Sequence, residues 1–176
     1  MNKHIKVTQV SYKGQRSNNE DELYINLENS PNIFAIYDGH GGPEVSSFLK
    51  QNLPFYFKNK NIPLNKSEIY DSFNKLATKL IKQKKRIAQE AGSTCLCVLY
   101  DKKKLQVINC GDCRSILINH NLNTIQLTTD HKPNDINEQK RLSKVKGNEK
   151  IYLDEDIWRI GPLSVSRSFG DMDTSP

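Results

Sequence analysis

The apolar run Ile33-Phe34-Ala35-Ile36-Tyr37 stops at Asp38-Gly39-His40-Gly41-Gly42. The run is too short for a helix, and its β-branched and aromatic residues predict a buried strand. An acid, a histidine and three glycines at the end of such a strand exceed what turn geometry needs. Glycine lets backbone approach closely, so a carbonyl such as that of Gly39 is available as a ligand.

Other elements follow from periodicity. Strands are predicted over Lys6 to Tyr12 and Leu23 to Leu27, separated by the polar turn from Lys13 to Asn19. A helix is predicted from Pro43 to Lys58 through Val45, Phe48, Leu49 and Leu53, with Pro43 in the first turn and Pro54 ending or kinking it. A second begins at Asn65 or Ser67 and runs to Glu90, with Ile69, Phe73, Leu76 and Leu80 on one face. Strands are then predicted at 94–100, 105–110, 114–118, 125–127, 150–153 and 157–160, with a helix at 137–144 and Trp158 in the core. Strands, two helices and more strands make α+β layers.

The chain has 176 residues, and 36% of them are hydrophobic, enough for one modest core. No run reaches the ~18 apolar residues of a membrane span. The N-terminal stretch lacks the apolar segment of a secretory signal. Neither membrane insertion nor secretion is expected, and the default compartments are cytoplasm or nucleus. The formal net charge is +6. Lysine and asparagine are both abundant, as a codon bias would produce. The basic runs at 82–86 and 102–104 lack interleaved aromatics for base stacking, so no nucleic-acid partner is expected.

Cys95/Cys97 and Cys110/Cys113 have two readings. The spacing could form a four-thiolate zinc site. Their strand-like setting favours reduced thiols packed in a core.

Carboxylates cluster at three strand ends: Glu20-Asp21, Asp38 and Gly111-Asp112. Hard oxygen donors on strand ends suit Mg²⁺ or Mn²⁺.

The chain resembles the metal-dependent serine/threonine protein phosphatases of type 2C. The resemblance rests on stretches in family order: Arg16-Ser17-Asn18-Asn19-Glu20-Asp21, Phe34 to Gly42, Gly92-Ser93-Thr94, Asn109-Cys110-Gly111-Asp112-Cys113-Arg114, Asp130-His131-Lys132-Pro133 and Gly161 to Asp171. It implies a two-layer antiparallel β-sandwich flanked by helices. It also implies hydrolysis of phosphoserine and phosphothreonine in proteins, by in-line attack of a water bridging two metal ions. Asp38 would bridge the ions, with Glu20 and the Gly39 carbonyl completing one of them. Asp21 would hold metal-bound water, and Asp112 would help hold a further ion. Arg16 would grip phosphate oxygens. His40 would be the general acid. Asp130-His131-Lys132-Pro133 would be a structural turn, and Arg167 and Asp171 would brace the sheet.

Two departures accompany the resemblance. The family continues beyond the elements that end near Asp171, with two further aspartates that ligate the first metal. One phosphatase-like domain over 1–176, incomplete at its C-terminal side, is therefore expected, with a continuation or a complementing chain supplying the missing carboxylates. Lys146-Gly147-Asn148 replaces a double glycine. The competing expectation is a catalytically inactive binding or regulatory module on the same scaffold.

Overall fold

The computed structural model describes residues 5–145 and 150–173. Lys146-Gly147-Asn148 lies outside them. In chain order the elements are β1 (Glu22–Asn26), β2 (Asn32–Tyr37), β3 (Gly39–His40), α1 (Glu44–Asn52), α2 (Pro54–Phe57) and α3 (Lys66–Glu90). Then come β4 (Gly92–Ser93), β5 (Cys95–Asp101), β6 (Lys104–Cys110), β7 (Ile116–Ile118) and β8 (Thr124–Gln126). The last are α4 (Ile136–Leu142), β9 (Ile151–Asp154), β10 (Ile157–Ile160) and β11 (Phe169–Gly170).

The main sheet is antiparallel, in the order β1-β2-β5-β6. Its two hairpins are set by turn chemistry. Asn26 Oδ1 accepts from the Asn29 N–H at 3.2 Å, and Asp101 Oδ1 accepts from the Lys104 N–H at 2.9 Å. Alternation then sends Ile33, Ala35 and Tyr37 of β2, with Cys97 and Leu99 of β5, to one face. The apolar sides of α1 and α3 cover that face, through Val45, Phe48, Leu49, Leu76 and Leu80, and the core lies between them. A smaller antiparallel sheet runs β11-β4-β3, and β7-β8 and β9-β10 form separate hairpins.

The second predicted helix is present, and its start is fixed by a reciprocal cap. Asn65 Oδ1 accepts from the Glu68 N–H at 3.0 Å, while Glu68 Oε2 accepts from the Asn65 N–H at 2.8 Å. The first divides into α1 and α2 at Leu53-Pro54, since Pro54 has no N–H to continue the ladder. The expected strand at Lys6 to Tyr12 is not one. This stretch has no regular structure, and Val7 to Val10 share a hollow with Leu23, Ile25, Phe34 and Ile36. Trp158 is 38% exposed rather than in the core, because it lies on the open hairpin β9-β10. Among the described residues no helix is long and apolar enough to cross a membrane.

Candidate active site

The end of β2 is where the predicted chemistry collects. Asp38 links β2 to β3, and its backbone is clamped from both sides by Thr94. The Asp38 N–H donates to Thr94 Oγ1 at 3.1 Å, and the Thr94 N–H donates to the Asp38 carbonyl at 2.9 Å. Glu20 is brought alongside by α1. Buried Ser46, in its first turn, donates through Oγ to the Glu20 carbonyl at 2.5 Å, with the Pro43 carbonyl 3.0 Å from the same oxygen. Gly39 fits because it lacks a side chain. A Cβ there would collide with the Glu20 carbonyl and come within 2.8 Å of Ser46 Oγ. The Asp21 N–H is held by Asn19 Oδ1 at 3.1 Å.

Asp112 follows β6. Its loop is stitched to the turn that carries His131. The Gly111 N–H donates to His131 Nδ1 at 3.0 Å, and the His131 N–H donates to the Gly111 carbonyl at 3.0 Å. His131 is occupied with structure, as expected for Asp130-His131-Lys132-Pro133. Lys132 Nζ forms an ion pair with Asp112 Oδ2.

These elements enclose an open cleft of about 640 Å³. Arg16, Glu20, Asp21, Asp38, Gly39, His40 and Asp112, all singled out in the sequence, line it. Pro162 to Val165 line it as well.

The cleft is electrostatically loaded. Burial pushes the Asp38 carboxyl above the ordinary carboxylate range, and the charges of Asp21 and Asp112 push it further. Burial opposes protonation of His40, but the Asp171 carboxylate together with the charges of Asp38 and Glu20 leaves the imidazole above its usual value. Burial pushes the Cys113 thiol up to about 11, although its contact with Thr94 Oγ1 at 3.1 Å works the other way.

The donors offered to a metal are hard oxygens, and mutual repulsion of carboxylates is what a divalent cation would relieve. The residues present therefore fit Mg²⁺ or Mn²⁺ in kind. They do not form a closed cage: among the described residues no three His, Cys, Asp or Glu side chains are grouped tightly enough to hold an ion by themselves. Cys95 and Cys97 are buried with sulfurs 3.8 Å apart, and burial pushes the Cys95 thiol up, in keeping with the core reading.

Sequence reasoning gave three contributors too little. Thr94 belongs to a triplet with no chemistry of its own, and its role comes from a long-range contact with Asp38. Arg159 also lines the cleft, oriented by bonds to Asp154 Oδ2 at 2.8 Å and the Pro162 carbonyl at 2.9 Å. Glu138 is 2% exposed in α4. It receives Arg141, Ser166 and both an Nε and an Nη2 bond from Arg167, fixing the segment that follows the cleft residues Pro162 to Val165. The single arginine of Ser166-Arg167-Ser168 and an acid on a helix were the available signals.

A family model described as protein phosphatase 2C matches residues 5–176. Protein phosphatase 1L of Bos taurus is 36% identical over 180 aligned residues, covering 94% of this chain and 49% of that protein. Among solved structures, a C. elegans sex determining protein superposes with a TM-score of 0.78 at 24% identity, covering 94% of this chain and 44% of the other. A phosphatase from a pathogenic strain of Toxoplasma gondii gives 0.72 at 24% identity, covering 91% and 62%. The chain spans about half the length of the curated relatives it matches.

Proposed function

The chain belongs to the protein phosphatase 2C family, and from that membership we propose that its cleft hydrolyses phosphoserine and phosphothreonine in protein substrates. The observation that carries the proposal is the meeting of Arg16, His40 and the carboxylates of Glu20, Asp21, Asp38 and Asp112 around one cleft.

The residues divide the work. Arg16 binds phosphate oxygens, since a guanidinium fork matches two of them at once. His40 holds the proton that the leaving seryl or threonyl oxygen needs. Asp38, Glu20 and the Gly39 carbonyl would hold Mg²⁺ or Mn²⁺, with Asp21 and Asp112 alongside. When bound, such ions lower the pKa of water and offset phosphate charge. Thr94 fixes the Asp38 backbone, so the donor set is oriented before substrate arrives. Residues 1–176 act as one phosphatase-like domain, and a complementing segment or chain would add further carboxylates. The four free cysteines agree with a cytoplasmic or nuclear setting.

A second reading has its own support. The absence of a closed ligand cage among the described residues favours a module that binds phosphoprotein without hydrolysing it. Phosphate release from a phosphothreonine peptide separates the two. With millimolar Mn²⁺ the chain should release phosphate, and EDTA or Asp38→Ala should reduce release to background. A folded chain that binds the peptide and releases nothing would replace hydrolysis with binding.

A further inference from the structure

The small sheet β11-β4-β3 brings Asp171 to His40 across Gly92. Its central strand places Gly92 opposite His40 on one side and Gly170 on the other. With no side chain on Gly92, the His40 ring and the Asp171 carboxylate meet across it. His40 Nε2 lies 2.9 Å from Asp171 Oδ1 and 2.8 Å from Oδ2. A Cβ on Gly92 would collide with Asp171 and fall 2.5 Å from His40 Nε2.

Asp171 is fixed in turn. It is 3% exposed, Ser168 Oγ donates to its Oδ2, and its N–H donates to the Ala91 carbonyl at 3.0 Å. An ionised carboxylate only accepts hydrogen bonds, so the proton in this contact belongs to Nε2.

We infer that Asp171 is a positioning residue for His40, holding the ring through Nε2–H so that Nδ1 is the nitrogen presented to substrate. The inference rests on the phosphatase reading of the cleft. The proton balance is simple. In the doubly protonated ring the Nδ1–H bond breaks as an O–H bond forms on the leaving seryl or threonyl oxygen. The ring returns to the neutral Nε2–H form that Asp171 already favours. Gly92 is the gap that lets the two side chains meet.

Long-range ¹H–¹⁵N NMR on the full chain, at a pH where the ring is neutral, reads the tautomer directly. His40 signals are assigned by their loss in His40→Gln. The expected result is the Nε2–H tautomer in the unaltered chain and a shift of population towards Nδ1–H in Asp171→Asn. An Nδ1–H ring in the unaltered chain, or an unchanged tautomer in Asp171→Asn, overturns the inference. If Asp171→Asn does not fold, the unaltered chain alone still decides. With Mn²⁺ present, Asp171→Asn should lose about tenfold more activity on a phosphothreonine peptide than on p-nitrophenyl phosphate, whose leaving group needs no proton. Equal losses would reduce Asp171 to a brace. No hydrolysis by the unaltered chain would defeat the phosphatase reading, while the tautomer still judges the placement of His40.

Discussion

Ile36 and Tyr37 are neighbours in β2, yet Tyr37 is fully enclosed and Ile36 is 41% exposed. The contrast extends across the main sheet. Ile33, Ala35, Cys97 and Leu99 point into the core under α1 and α3. Leu23, Ile25, Phe34 and Ile36 point the other way, where Val7 to Val10 share only a hollow with them. Both faces are apolar. The difference lies in what stands opposite, so the same side-chain chemistry contributes differently to stability on the two sides.

The sharpest way to break that comparison is to cut the covered face. Leu99 is 0% exposed, and Leu99→Ala should cost about 3 kcal/mol, through lost transfer energy and the cavity left behind. Urea denaturation would show it as a lowered midpoint. A loss near zero would mean that the helices do not seal this face. An intermediate contrast uses acid. Burial alone would raise Glu138, but hydrogen bonds from Arg167, Ser166 and Arg141 bring it down from 4.5 to about 2. Because the folded state prefers the charged form, its stabilising effect is full above the ordinary value and is lost as pH falls from 4.5 towards 2. Amide exchange followed through this window should show Leu142 and Ser166 losing protection before Leu99, which is held by apolar contact. Simultaneous loss would make the ionic cluster and the core one unit. The smallest effect belongs to the open face. Ile36→Ala should cost less than about 1 kcal/mol by the same urea measurement. A cost matching that of Leu99→Ala would show that something covers this face in solution.

Local signals in the sequence were legible and long-range ones were not. Asn65 and Glu68 announce the start of α3 because both halves of the cap lie within one turn. Lys6 to Tyr12 has strand-like composition but no ladder partner, and propensity cannot supply one. Trp158 lies on a strand-like run that predicts a core position, yet the hairpin carrying it leaves it half-open. β3, β4 and β11 are too short and too rich in glycine to read, since pairing across distant segments defines them. The carboxylates, Arg16 and His40 could be read from ordered motifs. Thr94, Arg159 and the contact between His40 and Asp171 needed the fold.

The pairing of β2 with β5 has a consequence for how the molecule assembles. Everything from α1 to α3 lies between those strands in the chain. The hairpins β1-β2 and β5-β6 close over short turns, whereas joining them closes a long loop at a larger entropic cost. Asp38 rides on the first hairpin and Asp112 on the second, while Thr94, just before β5, grips Asp38 only once they are joined. Any cation affinity of the proposed site would therefore arise in the same event that completes the topology, and an ion bound there would reward only chains that have finished it.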